Sequence, residues 1–381
     1  MKDPYQAADI CTHLGDDYDR YLGAIVPPLF QNTLFTRKHE NHGYSYTRIN
    51  NPTIEILEKK LAALEHAPEA RVFASGMAAI TAALTSLLKA GDHVLALRSA
   101  YHPVIGFLDT EMKKFGVEVT YLEHFSQREI ESSLRPNTKV FYLESPSSNI
   151  FRVLPLRDIA ETARACGAVT VMDNTWATPL YQKPLELGID YSIHSATKYL
   201  GGHSDVLGGV VLGSREGMDR LRNGPRASYG ACMDPFAAWL LIRSLRTLEV
   251  RMERHSQSAQ KVAHFLKSHP RVCRVYYPGL VSDEGNEMAE KQMTGFSGLL
   301  SFVPDGDHEA IYNMVKSLEV FEEGPSWGGF ESVVNTPGLS QNLEQLEFQG
   351  IPKGLVRISI GLEDVNTIIG DLDRALRHMP K

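Results

Sequence analysis

Lys198 stands in the string Ser195-Ala196-Thr197-Lys198-Tyr199, and an acid, Asp173, closes the apolar run Val169-Thr170-Val171-Met172 upstream. A short apolar run of this kind reads as a buried strand, which puts the acid at a strand end. A lysine amine condenses with an aldehyde to a Schiff base. An acid beside a pyridine keeps the ring nitrogen protonated, so the ring can take up electrons from a carbanion. Serine and threonine hydroxyls donate to phosphate oxygens. Lysine, acid and flanking hydroxyls are together what a pyridoxal phosphate (PLP) site requires. Lys198 and Asp173 are then its chemical groups, and Ser195 and Thr197 hold the phosphate. The short string by itself is equally compatible with an ordinary surface lysine after a strand.

Other segments fit the same site. Ser75-Gly76-Met77 precedes a predicted helix. Amides at a helix start bind anions, and a glycine there lets a phosphate approach closely. A plain helix cap is the alternative, and the pairing with Ser195 and Thr197 favours phosphate. Tyr46 and Arg48 lie in Tyr44-Ser45-Tyr46-Thr47-Arg48. A guanidinium fork suits phosphate oxygens, and tyrosine adds a donor; an exposed arm charge is the alternative. Tyr101 follows the run His93–Leu97, near the expected carboxyl edge of a sheet, where open α/β folds bind ligands. Its ring can stack on a pyridine. In the C-terminal part lie Ser326-Trp327-Gly328-Gly329 and Arg357, which interrupts the apolar run Leu355–Ile360. A charge there is costly unless paired, either with a substrate carboxylate or in a structural salt bridge.

Several chemistries are excluded. His203-Ser204-Asp205 cannot form a relay, because a triad needs side chains from different elements. His39-Glu40-Asn41-His42 lacks the spacing of a zinc helix, so no metal is expected. No dinucleotide glycine fingerprint and no phosphate-binding Walker loop occur.

The 381 residues suffice for a large core and two folded units, preceded by an arm: residues 1–50 as arm, 51–245 around the PLP site, 246–381 as a C-terminal domain. The arm is rich in Tyr, Asn, His and Pro with little helical period, and reads as extended. Ordering such an arm is costly, so it is expected to pack on something, such as another subunit. A helix begins near Pro52. His93–Leu97, Val117–Leu122, Val140–Leu143, Val169–Met172 and Val210–Leu212 read as strands, with helices near 76–89, 103–115, 156–166 and 183–188. That alternation predicts an α/β fold with a mainly parallel central sheet. One long helical segment is expected from Pro235 to about Leu266. Strand-like runs at Val272–Tyr276, Gly298–Val303 and Leu355–Ile360, with helices near 307–317 and 364–377, predict a smaller α+β domain. The net charge of −7, without a long basic run, argues against nucleic acid or an anionic membrane as partner. Four widely spaced cysteines suit a reducing cytosol, and neither a signal peptide nor a membrane helix is expected.

On these residues the chain resembles the Cys/Met-metabolism family of PLP enzymes. The matching stretches are Tyr44–Arg48 with Asn51-Pro52-Thr53, Ser75–Ala78, Met172–Thr175 and Ser195–Tyr199. The resemblance implies a PLP-dependent transferase fold of type I (aminotransferase-like), a homotetramer of two catalytic dimers, and Tyr46 and Arg48 reaching the neighbouring subunit's phosphate. Within the family the chain looks most like the β-lyase type that cleaves cystathionine. The stretches Asp173–Trp176, Ser326–Gly329 and Gly361–Val365 carry that likeness. The implied roles are Lys198 as Schiff-base lysine and base, Tyr101 as stacking ring and candidate acid, Arg357 as carboxylate clamp, and Ser326 and Trp327 at the substrate. Many γ-acting members carry Asn-Pro after the Glu-Ser/Thr-Pro-x stretch. Here Ser148-Asn149 follows Glu144-Ser145-Pro146-Ser147, which leaves open what contacts the cofactor O3′. The alternatives are a γ-lyase or γ-synthase, or a non-enzymatic regulator of the same fold.

Overall fold

The computed structural model describes residues 6–280, 284–340 and 342–379. Strands β1 (Glu69–Phe73), β2 (His93–Leu97), β3 (Glu118–Leu122), β4 (Thr138–Glu144), β5 (Val169–Asp173), β6 (Tyr191–Ser195) and β7 (Gly209–Gly213) form one sheet in the order β1-β7-β6-β5-β4-β2-β3. All neighbours run parallel except β7, which is antiparallel to both β1 and β6. Its central strands are buried on both faces. Val94, Leu95, Phe141, Tyr142, Val171 and Met172 form the core, as the continuous apolar runs foretold.

Helix Pro52–Leu64 starts where Asn51 accepts from the Thr53 amide and proline occupies the first turn. Its Ile54, Leu57, Leu61 and Leu64 are buried on one face. Helix Gly76–Leu87 is capped by Ser75, whose hydroxyl accepts from Ala78 N.

A second sheet, ordered β10-β11-β12-β9-β8, is built from β8 (Val272–Tyr276), β9 (Leu299–Pro304), β10 (Glu322–Glu323), β11 (Val333–Asn335) and β12 (Val356–Ser359). Leu300, Phe302, Val356 and Ile358 pack with Ala259, Val262 and Leu266 of helix Leu248–Ser268 and with Ile368 and Leu372 of helix Val365–Arg377.

The structure corrects several sequence expectations. Strands β1 and β6 were not anticipated. Tyr191-Ser192-Ile193-His194-Ser195 reads as polar, yet Ser192 and His194 are buried. The buried carboxylate of Glu65 takes the Ser192 hydroxyl and His194 Nε2 (2.8 Å), which is what permits polar groups in that strand. The long helical segment is two helices, Pro235–Leu245 and Leu248–Ser268, separated at Arg246-Thr247. The 103–115 stretch is a short helix, His102–Gly106, continued by a π-helical turn over Phe107–Met112. The 183–188 stretch is a 3-10 turn, Pro184–Leu187.

The arm, extended by its sequence pattern, instead carries a helix, Ala7–His13. The wholly buried Lys60 donates to the carbonyls of Ile10 (3.1 Å) and Cys11 (3.4 Å) at its end. Beyond it, Leu22, Ile25 and Leu34 are exposed. Among the described residues no helix is long and apolar enough to cross a membrane.

Candidate active site

A cavity of about 250 Å³ opens where the carboxyl ends of β4, β5 and β6 meet loops of the second sheet. Ser75, Gly76, Met77, Tyr101, Asp173, Ser195, Thr197, Lys198, Trp327 and Arg357 all line it. Residues as far apart in sequence as Ser75 and Arg357 thus meet because strand ends and loops converge on one edge.

Lys198 follows β6 in a turn closed by its amide donating to Ser195 O (3.1 Å). Its Nζ donates to Ser326 Oγ at 2.8 Å and lies 5.5 Å from the centre of the Trp327 ring. Trp327 in turn packs edge-on against Tyr199, with ring centres 5.4 Å apart. Gly328 has a φ of +83°, and a Cβ there would lie 2.8 Å from Tyr199 N. The Ser326–Gly329 loop therefore presses on the Lys198 turn as only glycine allows. Burial, and then the Arg357 charge, push the Lys198 amine down to about 8, while Asp173 opposes them.

Asp173, buried at the end of β5, accepts from the amide (2.9 Å) and hydroxyl of Thr175. Ser195 N donates to the same Thr175 hydroxyl at 2.8 Å, which ties the ends of β5 and β6 together. Burial raises the Asp173 carboxyl, opposed by the Thr175 hydrogen bonds and then by the charges of His194 and Lys198. Beside it in register on β4 stands Glu144. Its carboxyl takes the Tyr101 amide (2.7 Å) and the Ser148 hydroxyl, and is raised by burial and by Asp173. The Tyr101 hydroxyl is raised by burial, Asp173 and Glu144.

Three features of these residues fit PLP. Ser75 caps its helix through Ala78 N, and a Cβ on Gly76 would lie 2.8 Å from Ser195 Oγ, so the helix start and the end of β6 form a tight cradle. The Ser195 hydroxyl is present in that cradle, but Thr197 is partly committed: its hydroxyl donates to Gly208 O (3.2 Å) and accepts from Gly208 N (3.1 Å). Burial makes the Asp173 charge costly, and a pyridinium beside it would offset that cost. A depressed lysine amine is the partner an aldehyde needs.

Arg357, on β12, is buried and its guanidinium is lowered by desolvation. It donates to Pro325 O (2.8 Å) and Asn149 Oδ1 (3.4 Å). It forms no ion pair with any carboxylate among the described residues, so the structural salt bridge weighed from sequence is not formed. Tyr46 and Arg48 are not brought to the cavity of their own chain. Arg48 donates to Ala227 O, with its guanidinium 5.8 Å from the Tyr46 ring centre. Glu144, Thr175, Asn149, Phe151 and Trp176 border the cavity, although the sequence reading gives none of them a site role. Glu144 carried the same signal as Asp173, an acid closing an apolar run. Asn149 and Phe151 carried none, because their place depends on positive φ angles of 65° and 50°.

The profile of the family described as "Cys/Met metabolism PLP-dependent enzyme" matches residues 8–377. The chain is 38% identical over 370 residues to an L-methionine gamma-lyase of Fusobacterium nucleatum subsp. nucleatum, covering 93% of this chain and 94% of that protein. It is likewise 38% identical over 370 residues to a cystathionine beta-lyase of Lactococcus lactis subsp. cremoris, covering 96% and 97%. The crystal structure of cystathionine gamma synthase from Xanthomonas oryzae pv. oryzae, in complex with aminoacrylate and cysteine, superposes with a TM-score of 0.94 at 34% identity, covering 98% of each chain. The mostly parallel sheet and its helices are the fold-type I α/β architecture. The chain belongs to the Cys/Met-metabolism family of PLP-dependent enzymes.

Proposed function

We propose that this member of the family is a carbon–sulfur β-lyase that cleaves cystathionine to homocysteine, pyruvate and ammonia. The observation that carries the reading is the Lys198 amine, held by Ser326 beside Arg357 and lowered to about 8 by burial. When bound, PLP supplies an aldehyde for the substrate amine and a ring that takes up electron density from Cα. Asp173 would keep the ring nitrogen protonated. Ser75, Gly76, Met77, Ser195 and Thr197 would hold the phosphate, with Tyr46 and Arg48 reaching in from the neighbouring subunit. Tyr101 would stack on the ring.

Arg357 binds the α-carboxylate through its fork and so turns the Cα–H bond toward Lys198. Lys198 Nζ removes the Cα proton, its lowered pKa leaving more neutral amine near pH 7 than an ordinary lysine has. The Cβ–S bond then breaks, and the leaving sulfur takes a proton from Lys198 Nζ or from the Tyr101 hydroxyl. Water completes the division of the remaining fragment into pyruvate and ammonia. Trp327 walls the substrate on the Lys198 side. The exposed Leu22, Ile25 and Leu34 of the arm support assembly with further copies, in the reading a cytoplasmic homotetramer of two catalytic dimers.

The comparisons support a γ-lyase reading equally, since the chain is 38% identical both to the methionine γ-lyase and to the cystathionine β-lyase. Incubating the purified protein with cystathionine separates the two. Pyruvate with homocysteine supports the β-lyase; 2-oxobutyrate with cysteine replaces it with a γ-lyase.

A further inference from the structure

The guanidinium of Arg357 is buried, yet its hydrogen bonds go to two neutral acceptors, the peptide oxygen of Pro325 (2.8 Å) and the side-chain oxygen of Asn149 (3.4 Å). Neutral acceptors fix the plane of the fork without cancelling its charge. Asn149 is itself buried and sits at a φ of +65°, a conformation that asparagine tolerates better than most residues. Its turn is pinned on both sides. Ser148 donates to Glu144, and Phe151 N donates to Ser147 O at 3.1 Å. Backbone strain held in place by its surroundings beside a binding cavity is a mark of a positioning element. Asn149 and Arg357 both line the cavity.

We propose that Asn149 is a positioning residue for Arg357: mounted on a left-handed turn, it aims the guanidinium into the cavity and, being uncharged, reserves that charge for the carboxylate of the incoming amino acid. This rests on the reading of Arg357 as the carboxylate clamp. An acid at the same place would pair with the guanidinium and compete with the substrate.

The test compares PLP-loaded wild-type protein with Asn149→Asp, Asn149→Gly and Arg357→Lys. Each is titrated with glycine, which has amine and carboxylate, and with methylamine, which has the amine alone, following the cofactor absorbance. Asn149→Asp is expected to weaken glycine by about tenfold or more and to leave methylamine unchanged. Its kcat/KM on cystathionine should fall mainly through KM. Asn149→Gly keeps the turn and loses the acceptor, so its glycine affinity should fall by less, with methylamine again unchanged. If both Asn149 variants bind glycine like wild type while Arg357→Lys does not, the role of Asn149 is wrong and the clamp stands. If Arg357→Lys also keeps the wild-type preference for glycine over methylamine, the clamp itself fails. Equal loss of glycine and methylamine binding reduces Asn149 to a structural residue and overturns the proposal. Should Asn149→Asp not fold, Asn149→Gly and Asn149→Ser decide by the same ratio.

Discussion

Asp173, Ser195 and Lys198 stand on strand ends of the large sheet or directly after them, while Ser326, Trp327 and Arg357 come from a loop and a strand of the small sheet. The first group is locked by its own neighbours: Thr175 serves both Asp173 and the Ser195 amide. The second group holds itself more openly, with Arg357 on two neutral oxygens and Ser326 against the Lys198 amine. A group already satisfied by the protein is set to hold something permanently. A buried charge left without a direct ion pair is set to receive something that comes and goes. In the proposed reading the difference divides the cavity into a cofactor half and a substrate half, and substitutions in the two halves should fail in different ways.

The largest effect is expected at the junction. Lys198→Ala removes the base and the aldehyde partner together, and turnover of cystathionine should fall by on the order of a thousandfold or more. Protein should still retain some PLP through the phosphate cradle. A purified variant near the wild-type rate would remove Lys198 from the chemistry.

Asp173→Asn, in the cofactor half, keeps the shape and takes away the charge. A fall in kcat of about a hundredfold, with an unchanged melting temperature, is the expected signature. Equal activity of the two proteins would mean that the acid serves only the fold.

Arg357→Ala and Arg357→Lys probe the substrate half. The lysine keeps the charge and loses the fork, so both should lower kcat/KM by roughly ten- to a hundredfold while PLP content stays at the wild-type level. Loss of PLP in these variants would erase the boundary between the halves.

Arg48→Ala tests whether the cofactor half is completed by a second subunit. PLP affinity should weaken by about tenfold, the loss of one charge-assisted hydrogen bond. Mixing Arg48→Ala with Lys198→Ala subunits should restore some activity, because a mixed dimer gains one site with both groups intact. No recovery despite demonstrated subunit exchange would place Arg48 outside the site.

The smallest effect is a shift in pH dependence. Arg357 helps to lower the Lys198 amine to about 8, and only the neutral amine captures an aldehyde. The rate at which apoprotein takes up PLP should therefore rise with pH and level off above about 8. In Arg357→Ala the lowering charge is gone, the amine titrates higher, and the midpoint should move to higher pH. An unmoved midpoint would mean that the two groups do not feel one another.

The residues of the proposed cofactor half, which the structure brings to one cavity, were readable in the sequence because their chemistry coincides with local pattern. Asp173 closes an apolar run, Ser75 and Gly76 open a helix, and hydroxyls flank Lys198. The parallel core was legible for the same reason, since β2, β4 and β5 are continuous apolar runs. Strand β6 was hidden because Ser192 and His194 look solvent-exposed until Glu65, 127 and 129 residues away, supplies their partner. The substrate half was only partly readable. Arg357 stood out as a charge in an apolar strand, but its partners Asn149 and Pro325 are 208 and 32 residues distant. Such pairings, like the π-helical turn over Phe107–Met112 and the break at Arg246-Thr247, are decided by tertiary packing rather than by local propensity.

The most direct test of the account is to find which lysine carries the cofactor. The PLP-loaded protein is reduced with borohydride, digested, and its pyridoxyl-bearing peptide mapped by mass spectrometry. The account predicts the label on Lys198 and on no other lysine. Label on another lysine, such as the buried Lys60 or the half-buried Lys183, with Lys198 unmodified would contradict it.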